Sequence, residues 1–370
     1  MRRLNPRPAT RAGDSGAVAA LVAVLVSTGL LFGLGAVTVD LGQVYAERRQ
    51  VQNGADAAAL AVAADCATRA TCDTSSAGRA KSLADANAAD GRTSVLGVCG
   101  SGRATLAPCT GTGDPALATC PASPSGVRGY ARVRTGTLTA GGSTLLPAAF
   151  VRALTGRAGS GTAVRACAIA AWGVPAGLDD VLPLTISECE WLLATANGTT
   201  FVADGLNATP LQEVALKLHS TTDRTGCASV GGAFADLPGG FGWLAANSAC
   251  RAAVTNGGNV AADPGVSASG CAGDAVAGAV GTVIHLPIYE AAWGSGSGGT
   301  YRIAGFAAFH LSGYYLPGAH PNKVASPVGG NLCRGSDKCV YGWFTQALVP
   351  GGGALGNGTD FGSRVVALTG

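Results

Sequence analysis

The stretch SGAVAALVAVLVSTGLLFGLGAVTV, residues 15–39, decides how the rest of this chain is read. It runs for 25 residues without a charge and is bracketed by Asp14 and Asp40. As a helix it reaches roughly 37 Å, enough to cross a hydrocarbon core of about 30 Å with some tilt. A buried helix of a soluble domain is rarely this long and apolar on every side. Arg2, Arg3, Arg7 and Arg11 precede the run, whereas Asp40 and Glu47 mix with Arg48 and Arg49 beyond it. That asymmetry predicts a single-pass anchor with residues 1–14 in the cytoplasm and everything after the span exported. A cleaved signal peptide is the rival reading, but its apolar core would be unusually long and a small-x-small site is hard to place. The absence of any cysteine before Cys66 argues against a lipoprotein. Inside the span, Gly29 and Gly33 form a GxxxG, a spacing that lets another helix approach closely.

The remainder is poor in bulky core groups. Apolar residues make up 47% of the 370, but alanine and glycine carry much of that and aromatics are only 6%. Covalent staples are the expected compensation. Cys66, Cys72, Cys99, Cys109, Cys120, Cys167, Cys189, Cys227, Cys250, Cys271, Cys333 and Cys339 all follow the apolar run. An even count confined to one side of a membrane segment points to disulfides in an oxidising compartment. Zinc is disfavoured because no CxxC and no cysteine–histidine pair at finger spacing occurs. Connectivity is open; Cys66/Cys72 and Cys333/Cys339 close the shortest loops. The formal net charge of +3 is accounted for by the four N-terminal arginines and Asp14, leaving residues 15–370 neutral, so nucleic-acid binding lacks its electrostatic footprint.

After the span comes DLGQVYAERRQVQNGADAAALA, residues 40–61, which has no proline and is dominated by helix formers after Ala46. The spacing predicts that the membrane helix continues outward as a stalk over 40–65. The segment resembles the TadE/TadG-like family of Flp (tight-adherence) pilus-assembly proteins. Gly16-Ala17-Val18, Asp40, Gly42, Tyr45, Arg48, Gln50, Gln52, Ala55, Asp56, Ala57, Ala58, Ala59 and Leu60 fall in the order of the family pattern. Trp172-Gly173-Val174-Pro175, Leu182 to Trp191 and Gly239 to Leu244 look like its high-GC Gram-positive members. The resemblance implies a membrane-anchored accessory protein of a surface-pilus or secretion apparatus in a bacterial cell envelope. It would act in adhesion through contact with pilins or other pilus-assembly proteins. Some relatives carry a DxSxS metal site; Asp73-Thr74-Ser75-Ser76-Ala77 lacks the final serine, so that site is not carried over. Pilin-like processing would need a glutamate shortly after the cleavage point, and none precedes Glu47.

The exported part reads as α+β, a long transmembrane and stalk helix followed by disulfide-braced, β-rich domains. A small α+β unit is expected over 66–175, with a helix at 77–89 and a tied loop at 99–126. A half-wet strand at 127–134, a helix at 146–154 and a strand at 162–172 complete it. A Cys-rich, β-rich unit is expected over 176–370, with strands at 280–288, 301–311, 340–349 and 364–369 and helix near 186–196.

Chemistry is sparse. Gly13-Asp14-Ser15-Gly16 imitates a protease nucleophile loop but sits at the mouth of a membrane span. The GxGxxG runs at 294–299 and 351–356 open no evident helix, and 57 glycines make chance matches easy. Of His219, His285, His310 and His320, the middle two lie in strand-like runs with no HExxH. Arg128, Arg132 and Arg134 form one strand face, read as solvated rather than as an acid-binding surface. Asn197, Asn207 and Asn357 begin sequons. The expectation is a non-enzymatic component with no catalytic residues, metal or cofactor. The alternatives are an anchored hydrolase using His285 and His310 and a ligand-binding ectodomain.

Overall fold

Ser15–Thr68, 54 residues without a proline, form one unbroken helix, α1, in the computed structural model. The described residues are 15–69, 72, 75–103, 105–109, 120–156, 161–203, 209, 212–217, 242–263, 271, 273–294, 298–319, 321–327 and 333–369. After α1 the chain forms α2 (Ser75–Ala86), β1 (Thr93–Ser101), β2 (Gly129–Thr137), α3 (Ala149–Thr155) and β3 (Arg165–Pro175). It continues through β4 (Gly177–Val181), β5 (Ile186–Ser187), α4 (Glu188–Ala194), β6 (Val214–Lys217), β7 (Ala252–Thr255), β8 (Asn259–Ala261) and α5 (Asp274–Ala279). The last elements are β9 (Val283–Trp293), β10 (Thr300–Tyr315), β11 (Lys323–Val324), β12 (Cys339–Thr345), β13 (Ala347–Leu348), β14 (Leu355–Gly356) and β15 (Ser363–Leu368).

The first sheet runs β1-β2-β3-β15-β13, with β14 also on β3. Its floor is the outer half of α1. Ala55, Ala58, Ala59, Val62 and Ala63 are wholly buried against Ala131 and Val133 of β2 and Ala166, Ala168, Ala170 and Trp172 of β3. Methyl-sized side chains on both layers let the helix lie close to the sheet, so the contact is extensive although no single group is large. α2 packs equally close. A Cβ added at Gly54 would stand 3.2 Å from the Cα and carbonyl oxygen of Ala84.

Three sequence expectations change here. Residues 40–65 are not a free stalk, because from Val51 onward one face of α1 is core; an alanine-rich helix reads alike whether it stands in water or lies under a sheet. The boundary at 175 does not separate two self-contained units either. β15 pairs antiparallel with β3, Val365 opposite Gly173 and Leu368 opposite Ala170, so the chain's end completes the first sheet. β3 is buried along nearly its whole length and already has β2 on one edge. Its other edge requires a partner, and pairing over this sequence distance leaves no local signal. The tied loop expected from 99 also starts later, since Cys99, Gly100 and Ser101 belong to β1.

The second sheet runs β5-β9-β10-β12-β6, with β8 and β11 on β10. It is antiparallel except for β5 on β9. One face packs Leu286, Ile288, Phe309, Leu311 and Phe344 under Trp191 of α4 and Val276 of α5. Phe361 meets Trp191 edge-on at 4.8 Å between ring centroids, which ties the approach to β15 into this core. Ser187 caps α4 by accepting from the Glu190 amide at 3.2 Å. A small β4–β7 ribbon covers Tyr289, Tyr301, Ile303 and Phe306.

Disulfides join Cys66 to Cys72, Cys99 to Cys109, Cys120 to Cys167, Cys250 to Cys271 and Cys333 to Cys339. Cys189 is also disulfide-bonded, to a partner outside the described residues. Asp73-Thr74 and Gly13-Asp14 lie outside them too, and Ser75 opens α2. Gly351 and Gly352 take positive φ in a turn. Gly294 does the same before residues 295–297, which are not described.

Ala59→Leu should therefore overpack the helix–sheet contact and cost about 1–3 kcal/mol, read as an earlier denaturant midpoint with unchanged slope. The same change at the exposed Ala46 should leave the midpoint in place.

Candidate functional site

α1 is the element around which the motif residues gather, and its faces divide them. Gly33, Ala36, Asp40, Val44, Glu47 and Val51 recur at spacings of three and four, so they share one face. That face is partly or fully covered, whereas Leu34, Val37, Leu41 and Tyr45 are exposed around the rest of the helix. Asp40 ends the apolar run and makes the decisive contact. Its carboxylate accepts from the Phe150 amide at 3.2 Å and the Val151 amide at 2.9 Å. These are first-turn amides of α3, whose own preceding residue, Ala148, offers no side-chain cap. An acid 110 residues upstream thus caps α3 and holds it against α1.

The other motif residues split between internal and outward work. Gln50 accepts from the Ala89 amide at 2.8 Å, and Gln52 donates to Asp56 at 2.8 Å and to the Cys167 carbonyl at 3.2 Å. Ala55 is core. Gly42, Tyr45 and Arg48 are exposed, Tyr45 to 68%, and a Cβ at Gly42 would meet nothing within 4 Å. Gly29 and Gly33 are open in the same sense, so the GxxxG is unused by this chain's own fold.

The far end of α1 is held by residues the sequence did not single out. Its last turn contains no basic residue, yet Arg103 donates to the Cys66 carbonyl at 2.8 Å and Arg364 donates to the Ala67 carbonyl. Both satisfy the helix's orphan carbonyls and place positive charge at the negative end of its dipole. Burial and the neighbouring Arg364 lower the Arg103 pKa, while Asp360 opposes that shift. Arg364 pairs with Asp360 at 2.8 Å. Such capping from 36 or more residues away has no local pattern, which is why it escaped the sequence reading.

The histidines are partly brought together. His285 faces Ala308 across β9–β10 and His310 faces Val283, so both lie on the sheet face opposite the aromatic core. His285 Nδ1 lies 2.7 Å from the hydroxyl of Ser363, which is fully buried and therefore no exposed nucleophile. Burial lowers the His285 pKa to about 4. Two clefts of about 870 and 730 Å³ both count His285 among their lining residues. His310 stacks on Trp343 with centroids 4.2 Å apart. His219 and His320 lie outside the described residues, among which no group of three or more His, Cys, Asp or Glu is placed to hold a metal. Arg128 and Arg132 are engaged within the chain, donating to the Gly358 and Pro121 carbonyls at 2.6 and 3.2 Å. Asn197 and Asn357 are exposed, and Asn207 is not described.

The set of Asp40, Gly42, Tyr45, Gln50, Gln52 and Ala55 on one continuous helix with an apolar lower half is matched outside this chain. Residues 16–65 match the family model for Flp pilus-assembly TadE/G-like proteins. No curated protein and no solved structure matches the chain. The TadE/G-like segment thus lies within α1, which combines the one helix among the described residues that is long and apolar enough to cross a membrane with the floor of the first sheet.

Asp40→Ala should free both α3 amides and cost about 1–2 kcal/mol. Hydrogen exchange should accelerate at residues 150 and 151 while the β9–β10 amides keep their protection. His285 gives a pH prediction. Its folded-state pKa lies below the unfolded value near 6.5, so the unfolded chain binds the extra proton and stability falls as pH drops from about 6.5 through about 4, by up to about 3 kcal/mol. His285→Gln should flatten that window in denaturant titrations at pH 7, 5 and 4.

Proposed function

We propose that this chain is a single-pass, membrane-anchored, non-enzymatic component of a Flp-type pilus-assembly apparatus, acting through protein contacts outside the cytoplasm. The observation that carries the reading is the division of labour along the TadE/G-like segment. Asp40, Gln50, Gln52 and Ala55 are consumed in holding this chain's own body, whereas Gly42, Tyr45 and Arg48 are exposed and a Cβ at Gly29 or Gly33 would meet nothing within 4 Å. Small residues in the span favour close helix approach, and an exposed tyrosine beside an arginine above it is a composition common at protein interfaces. Arginines before the span favour a cytoplasmic N-terminus, and a body with no free cysteine among its described residues favours an oxidising compartment. Lateral contact through α1 then recruits other pilus-system proteins, and the body stands ready to meet filament subunits.

Replacing Tyr45 with a photo-crosslinking amino acid in the native host should capture pilus-assembly proteins or pilins in the membrane fraction. Gly29→Leu with Gly33→Leu should reduce surface pili while the protein stays in that fraction. Normal piliation and adhesion after deletion of the gene would refute the reading.

A further inference from the structure

The residues between β2 and the turn after α3 form a partial collar on one face of α1, where it leaves its apolar run. Leu146 and Thr162 exchange a pair of backbone hydrogen bonds at 2.9 Å and close the base of this collar, while the Asp40 cap fixes its helix. Its level is what matters. Ala36 is only 6% exposed, although it lies inside the uncharged run of residues 15–39. It shares the face of Asp40, so the body reaches along the helix to Ala36, roughly 6 Å below Asp40.

Beside its exposed Ser143 and Thr144 this segment also turns large apolar groups outward. Leu145 is 42% and Phe150 47% exposed, with Pro147 exposed between them. From Leu138 to Gly156 the only charged residue is Arg152, at the last turn of α3, and no Asp or Glu occurs anywhere from residue 115 to 178. Apolar groups beside a cation with no acid in the segment, at the depth of the headgroups, are what an anionic leaflet accommodates, the rings and methyls in the acyl boundary and the guanidinium among phosphates.

We propose that the collar is a lipid-contacting plate that seats the exported body on the outer leaflet, with Leu145 and Phe150 entering the interface and Arg152 meeting lipid phosphate. This rests on the anchored reading above and extends it, since a transmembrane helix alone fixes neither the height nor the tilt of the body. With α3 capped by Asp40 and its far side resting on lipid, α1 presents Gly42, Tyr45 and Arg48 at a defined height above the bilayer.

The test uses the full chain at one copy per lipid nanodisc, with a spin-labelled amino acid incorporated genetically at position 150 to spare the cysteines. The same label at Leu193, exposed on α4, serves as the water-facing control. Relaxation by oxygen should exceed relaxation by a soluble nickel chelate at 150 and fall below it at 193. Adding anionic lipid to a zwitterionic disc should deepen position 150 in the native background and not in Arg152→Gln. Water-like accessibility at 150 in a chain that stays disc-bound would overturn the plate while leaving the anchor intact. A chain that does not enter the disc would overturn both. Immersion seen only in discs holding two copies would assign the surface to a protein neighbour and overturn the lipid assignment.

Discussion

Everything in this molecule depends on α1 being a single helix shared between two environments. Below Asp40 it is apolar on all sides, and above Val51 it buries one small-residue face under a β-sheet. A hinge between the halves would let the body swing freely. The Asp40 carboxylate works against that, because it spends its two oxygens on amides of an element from the body at the level where the apolar run ends. Arg103 and Arg364 do the same at the other end, tying the carbonyls of Cys66 and Ala67 to a loop and to the chain's last strand. The helix is therefore fastened at both ends of the half that meets the body by charged groups acting on backbone dipoles.

The body owes its cohesion to the same economy of small parts. The helix–sheet contact uses alanines where most domains use leucine and phenylalanine, and such a contact tolerates little change in volume. The bulky aromatics are concentrated in the second sheet, around Trp191, Phe309, Phe344 and Phe361. Phe361 and the strand that follows it join both halves, so the order of the chain and the order of the folding units differ. Disulfides brace loops at both sheets, consistent with a chain whose composition supplies few large apolar groups.

Much of this was legible in the sequence, and the parts that were not share a cause. The long N-terminal helix, the helices near 77–89 and 146–154, and the strands holding Val133, Ile169, Phe309 and Val366 follow from local periodicity. The short-loop pairs Cys66–Cys72 and Cys333–Cys339 follow from proximity along the chain. Gly54 against Ala84, β15 against β3, and the arginines capping α1 are long-range meetings that leave no spacing to read. The alanine series illustrates the point most clearly, since its helical state was plain but its burial was set by strands more than 60 residues away. Among the motif residues the sequence indicated membership in one pattern; only the fold separates those that hold the body from those that face outward.

Backbone chemical shifts and amide exchange of residues 30–56, measured on the full chain in a lipid bilayer, test the shared helix most directly. Unbroken helical shifts with continuous protection from the bilayer through Asp40 into the sheet-covered turns are the expected result. Non-helical shifts or fast exchange between residues 40 and 50 would mean a hinge, and would contradict a body held rigidly at the membrane surface.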